Sequence, residues 1–289
     1  MDFLISISSV DFVLFFFPGL EVLCIVLNRF AYPSRYVDME QVFSRSGSEI
    51  CRFFNLGLQL IFTNFGDRIM SLDQPWLKRP HLESFCRAIH DRGAPLDNCF
   101  GFIDGSVRPV CRAEGQTAVY CGERVDALKF QSVVTPNGLI VNLYGPMPGG
   151  KHDTALLQDS CVLNYMATTP DFTRDDGTPL VLYGDLALPP NQHLGRPHCP
   201  INRKLPASLR QFNDEMSGVR TAVEWEFGTV LEEFAFLDFQ KSLNVFQSPI
   251  GTMYIVGCIL TNCLLCFKGY NKTSSYFGLQ PPTIQEYLY

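Results

Sequence analysis

Basic residues are scarce in this chain. Lys and Arg total 23 against 29 Asp and Glu, and the formal net charge is −6. A protein that grips nucleic acid unaided normally shows a basic surface. Any role on DNA must therefore use a local basic patch, a metal or a basic partner. The eleven cysteines are odd in number and irregular in spacing, which excludes a disulfide framework and favours a reducing compartment. Cys263 and Cys266 form a lone CxxC with no second pair and no His pair nearby, so core packing outweighs zinc or redox work there. The apolar N-terminus lacks the basic n-region of a signal peptide, and Asp11, Pro18 and Glu21 interrupt it before a spanning length is reached. These features argue against a membrane segment. No internal repeat or low-complexity tract is present.

What is present suits a globular protein. The 289 residues are 46% hydrophobic and 13% aromatic, enough for one large domain or two small ones and too apolar for a disordered chain. Residues 1–19 read as an apolar leader that is a candidate for disorder. Residues 20–98 read as a helical region, with apolar residues at three- and four-residue spacings. The serine-rich turn "SRSGSE" within it is compatible with helix-turn-helix and with any helical bundle; Ser48 is the expected N-cap of the helix that follows. From residue 99 the character changes. "CFGFID", "VRPVCR", "ALKFQSVV", "LIVNLYG" and "PLVLYGD" are β-like runs, and "TPNG" joins the third and fourth as a hairpin. Helices are expected at "DTALLQDSCVLNYM", at about 207–235 and at about 249–268, with a Pro-rich loop at 189–206. The fold class is therefore α/β over residues 99–270, with a loop-like tail at 271–289.

Two of the apolar runs stop on an acid, Asp104 and Asp185. Ligands gather at the carboxyl ends of strands in open α/β sheets, so both are candidates for one site. The long helix offers a third acid. At about 100° per residue, Glu224 shares its side with Asn213, Ser217 and Arg220, beside an apolar stripe of Leu209, Phe212, Met216, Val219, Val223, Val230 and Phe234. Glu226 falls on the opposite flank with Glu215 and Glu233, which reads as a solvated acidic face. Asp153, after the turn "PMPGGKH", is a fourth candidate; helix capping is the competing reading. His152 beside it is a ligand, a phosphate contact or a loop residue.

"FIDGS", "ALKFQSVVTPNGLIVNLYGPMPGGKHDTALL", "LYGDLALP" and "FNDEMSGVRTAVEWEFG" together resemble the blocks of Harbinger/PIF-type transposases and transposase-derived nucleases, in the same order and over about residues 20–289. The resemblance implies a ribonuclease-H-like mixed sheet flanked by helices. It also implies a DDE triad of Asp104, Asp185 and Glu224, with Asp153 as an additional metal ligand and His152, Lys151 and Arg220 as phosphate or orienting contacts. Leu188 stands where that family usually has an aromatic residue, which implies altered packing rather than loss of metal.

The implied chemistry is phosphodiester cleavage with two Mg²⁺ or Mn²⁺ ions about 4 Å apart. Such ions take oxygen ligands, so a few carboxylates suffice. Lys129, Lys151, Arg203, Lys204, Arg210 and Arg220 are available for phosphates. Mutual repulsion among bare carboxylates would make Asp104→Asn neutral or stabilising without metal. The implied partners are DNA and a Myb/SANT-like DNA-binding protein; a homo-oligomer is left open. The implied location is the nucleus, with the cytoplasm left open. Two other readings stand beside this one: a domesticated, catalytically silent DNA- or protein-binding module, and a membrane-tethered protein that rests on residues 3–27 alone.

Overall fold

The computed structural model describes residues 19–111, 120–121, 125–200, 205–244 and 247–289; among these, the side chains of 120–121, 125, 222–224 and 227 are outside the description. The apolar leader, Arg203 and Lys204 therefore lie outside the described residues, apart from Gly19.

Five helices come first: α1 Gly19–Ala31, α2 Tyr36–Phe43, α3 Gly47–Phe65, α4 Asp67–Met70 and α5 Arg79–Asp91. In α1, Val22, Ile25, Val26, Arg29 and Phe30 recur at helical spacing and are buried. Gly57 of α3 lets the two helices meet, since a Cβ there would stand 2.6 Å from Val26 and 2.9 Å from Val22. The turn between α2 and α3 ends on Ser46, not Ser48. Ser46 accepts from the Glu49 N–H while the Glu49 carboxylate reaches back to the Ser46 backbone, a capping box two residues earlier than expected.

The sheet has six strands: β1 Cys99–Pro109, β2 Tyr120–Cys121, β3 Val125–Val134, β4 Ile140–Pro148, β5 Val181–Tyr183 and β6 Leu194–Gly195. Their order is β4-β3-β1-β5-β6, with β2 beside the start of β3. β1 and β3 run antiparallel, as do β3 and β4; β1, β5 and β6 run parallel. This mixed sheet flanked by helices is the ribonuclease-H-like α/β architecture. The expected hairpin forms around Thr135–Leu139, where Gly138 takes a positive φ of 85°. "CFGFID" and "VRPVCR" are not two strands. β1 continues through Asp104 to Pro109 because β3 pairs with it along its whole later half.

After β4 come α6 Asp153–Asp159 and α7 Val162–Thr168, two helices where one was expected. Cys161 breaks the run with φ 54°, outside the right-handed region. The long helices fall close to their expected places, as α8 Ala207–Glu233 and α9 Ile250–Lys268. α9 is long and apolar enough to cross a membrane by composition, yet its residues are mostly buried in the core. Cys258, Cys263 and Cys266 lie on it, buried, and burial pushes their thiols well above the usual range. Every cysteine whose side chain is described is free.

The tail is not loop. It folds as α10 Lys272–Phe277 and α11 Ile284–Leu288, each opened by a capping box, at Asn271 with Ser274 and at Thr283 with Glu286. Tyr287 and Leu288 are buried, and the Tyr287 hydroxyl accepts from Asn262 of α9. Asn262 also bonds both backbone groups of Ile140, tying the tail and α9 to β4. One apolar core runs from Val22 to Leu288.

Candidate active site

The parallel pairing of β1 with β5 sets the site. Phe102 lies opposite Tyr183, and two residues further on along each segment come Asp104 and Asp185, which line one cleft. β5 ends at Tyr183, which frees Asp185 to sit at the mouth of a cleft while β1 carries on past it. The cleft has a volume of about 190 Å³ and is lined by Asp104, Asp153, Asp185, Lys129, Gln131 and Gly105, with Ile103, Val107 and Leu188 as apolar wall.

Alternation along β1 divides the acids. Successive side chains leave opposite faces of a strand. Asp104 turns toward α8, where its Oδ2 accepts from Arg220 at 2.7 Å. The adjoining position, Gly105, turns toward α6, and its missing side chain leaves the room that Asp153 occupies: a Cβ there would stand 2.8 Å from Asp153 Oδ1. Gly105 donates its N–H to Asp104 Oδ1 at 2.8 Å.

Asp153 is the first residue of α6, and the N-cap position belongs to His152, whose side chain makes no capping bond. The Asp153 carboxylate instead pairs with Lys129 of β3 at 2.8 Å. Lys129 and Gln131 both project into the cleft, one strand period apart, opposite Val107 and Gly105. Gln131 is buried and donates to the Ser160 hydroxyl at 3.0 Å. The interruption of an apolar strand by two polar residues of one parity is the sequence signal for this wall; Gln131 joins the expected Lys129 on it.

Asp185 differs from the other two. Its Oδ1 accepts the Leu186 N–H at 2.6 Å, the residue is exposed, and among the described residues no basic side chain pairs with it. Leu188, the departure from the aromatic pattern, is buried and donates its N–H to the Asp185 carbonyl. It packs against Gly184, where a Cβ would lie 2.6 Å from Leu188 Cδ1. The Leu188 carbonyl accepts from Arg196.

The remaining candidates are not all brought here. Lys151 turns away to Asp159 at 3.0 Å, and His152 is exposed; neither lines the cleft. Arg210 is exposed on α8. Glu224 lies on α8 one turn after Arg220, but its side chain is outside the described residues. Glu226 is not the surface acid that the helical wheel expects. It is 1% exposed, because α10 packs over that flank of α8 and the wheel carries no information about a partner 45 residues away.

The donor set fits a hard divalent cation in kind: three carboxylates line one small cleft, and no thiol or imidazole lines it. In arrangement the acids are spread. Among the described residues no three His, Cys, Asp or Glu side chains converge closely enough to hold a metal ion. Arg220 and Lys129 supply the counter-charge to two of the acids.

No curated protein and no solved structure matches the chain. A family model, that of the DDE superfamily endonuclease, matches residues 103–262, more than half of the sequence. That span takes in Asp104, Asp153, Asp185 and Glu224 together with the sheet that presents them, and the chain belongs to the DDE superfamily endonuclease family.

Proposed function

We propose that the chain is the catalytic subunit of a divalent-metal-dependent DNA endonuclease or transposase of the Harbinger type, acting on phosphodiester bonds. The observation that carries this reading is that Asp104, Asp153 and Asp185 all line one cleft at the carboxyl end of β5, in a family of DDE endonucleases. Those three acids, with Glu224 from α8, would hold Mg²⁺ or Mn²⁺. Bound there, the ions would activate a water or a 3′-hydroxyl and stabilise the leaving oxygen. The chain's own residues orient the acids: Arg220 fixes Asp104, Gly105 admits Asp153 against β1, and the Leu186 N–H holds Asp185. Ile103, Val107 and Leu188 form the apolar side of the cleft. In keeping with a net charge of −6, the reading includes a basic Myb/SANT-like partner that brings the enzyme to DNA and to the nucleus.

A second reading, a catalytically silent binding module, draws on the two ion pairs. Arg220 on Asp104 and Lys129 on Asp153 neutralise acids that an active site needs free. A Mn²⁺-dependent nicking assay on terminal-repeat DNA, with and without a basic partner, separates the two. Nicking by the wild type that is lost in Asp104→Asn and Asp185→Asn supports the nuclease. Metal binding without nicking under either condition supports the silent module.

A further inference from the structure

Lys129 is held more tightly than a surface lysine. Its side chain is 13% exposed, its ammonium lies 2.8 Å from Asp153 Oδ1, and it donates to the Lys151 carbonyl at 3.1 Å. Its Cε passes over Gly105, so the stem runs along the floor of the cleft. An ammonium this enclosed needs a charge partner to offset its lost hydration. Asp153 is that partner, and it is also one of the three acids on the cleft.

A divalent cation of the Mg²⁺ kind that bound Asp153 would sit about 2.0–2.1 Å from a carboxylate oxygen. The ammonium now occupies that neighbourhood, and two cations so close repel strongly in a partly enclosed site. The lysine and a metal ion therefore compete for one carboxylate. Arg220 is placed differently. It uses only Oδ2 of Asp104, and it approaches from the α8 face, opposite to α6. Asp185 has no basic partner among the described residues. Of the three acids, Asp153 is the one whose cation points into the cleft.

We propose that Lys129 is a positioning residue of this site, a stand-in cation that holds Asp153 in the metal-free protein and yields it to an incoming divalent ion. Its ammonium is then free to meet a phosphate oxygen of the DNA strand in the same cleft. The inference rests on the nuclease reading above. A lysine suits this exchange because its ammonium is a point charge on a flexible four-carbon stem, able to swing without a fixed fork geometry.

Two measurements on the full chain test it. The first titrates Mn²⁺ without DNA, by calorimetry, into the wild type, Lys129→Met, Lys129→Arg and Asp153→Asn. Removing the competitor should tighten Mn²⁺ binding about three- to tenfold in Lys129→Met. Lys129→Arg should stay within about twofold of the wild type, and Asp153→Asn should bind more weakly. In the nicking assay, Lys129→Met should also raise the KM for DNA several-fold, opposite in direction to its gain in metal affinity. The second uses the wild type alone, so that it does not depend on a variant folding. Lysine acetylation followed by mass spectrometry should show Lys129 becoming several-fold more reactive on saturation with Ca²⁺. Unchanged or weaker Mn²⁺ binding in Lys129→Met, or no gain in Lys129 reactivity while the wild type binds metal, overturns this inference and leaves the nuclease reading standing. A wild type that binds no divalent ion overturns both.

Discussion

Glu226 of α8 accepts a hydrogen bond from Asn271, the N-cap of α10, at 2.9 Å, and the Asn271 amide also reaches the Gly138 carbonyl at 3.3 Å. Thr273 contributes a second hydrogen bond to the same carboxylate. One acid thus joins the long helix, the tail and the β3–β4 turn. Burial pushes its pKa up to about 7, and the bonds from Thr273 and Asn271 pull back only part of that rise.

Stability should therefore depend on pH through this group. The folded protein holds the proton more tightly than the unfolded chain, whose carboxylate titrates near the ordinary value of 4.5. The favourable contribution of the protonated form is fully present below about pH 4.5 and is lost as pH rises through about 7. Glu226→Gln keeps an oxygen acceptor for Asn271 and removes the charge. It should match the wild type near pH 4.5 and exceed it at pH 8, by up to about 3 kcal/mol. Urea melts of both proteins at the two pH values check this; a constant difference between them would show that Glu226 does not titrate in this range.

Asp104 and Asp185 should separate in their metal-free behaviour. The expectation that Asp104→Asn is neutral or stabilising assumed bare carboxylates repelling one another. The structure gives Asp104 a partner, Arg220, with the two side chains 26% and 18% exposed. Removing the carboxylate leaves a half-buried guanidinium without its charge partner, so Asp104→Asn should cost about 1–2 kcal/mol without metal. Asp185 has no ion pair among the described residues, and Asp185→Asn should stay within about 0.5 kcal/mol of the wild type. Both variants should lose most of the rise in Tm that Mg²⁺ gives the native state. Differential scanning calorimetry with EDTA and with Mg²⁺ reads all four quantities, and equal metal-free Tm values for the two variants would contradict the assignment.

Gly105→Ala tests the close approach. Its Cβ would meet Asp153 Oδ1 at 2.8 Å, a distance that real Cβ atoms do not keep. The carboxylate must move, and with it the ion pair to Lys129. The expected cost is about 1–3 kcal/mol, from overpacking and a loosened pair. Mn²⁺ affinity should fall with it. A variant with wild-type Tm and wild-type metal affinity would mean that Asp153 has room to spare.

Much of this site was legible one element at a time. An apolar run that reaches an acid identified Asp104 and Asp185, and strand propensity placed them on β1 and just after β5. The long helices α8 and α9 followed from periodicity. The failures are all tertiary or local-geometric. Glu226 looked solvated because the helical wheel ignores the tail that covers it. The break at Cys161 needs a left-handed backbone at a non-glycine residue, which no spacing signals. The Lys129–Asp153 pair joins residues 24 positions apart, and β-sheet register with α6 brings them together. The capping boxes at Ser46 and Thr283 stand in the sequence as "SGSE" and "TIQE"; the first caps two residues before Ser48, and the second opens a helix in a tail whose prolines suggest a loop.

The acidic balance leads to the last prediction. Non-specific affinity for DNA comes mainly from Lys and Arg neutralising phosphates, with a loss of affinity in salt that scales with the number of contacts. Near the cleft, Arg220 is committed to Asp104 and Lys151 to Asp159, and Lys129 is held by Asp153 until a divalent ion displaces it, so few cations there can meet phosphates. Further off, Arg174 pairs with Asp97 and Arg79 with Asp175. The chain alone should therefore bind duplex DNA with a Kd weaker than about 1 µM at physiological salt, in the range of non-specific binding. Its slope of log K against log salt should be shallow, corresponding to few phosphates. Fluorescence anisotropy with a labelled terminal-repeat duplex, in Ca²⁺ to limit cleavage, gives both quantities. Adding a basic DNA-binding partner should steepen the slope and tighten binding by about an order of magnitude or more. Sub-micromolar, sequence-specific binding by the chain alone would remove the need for a partner.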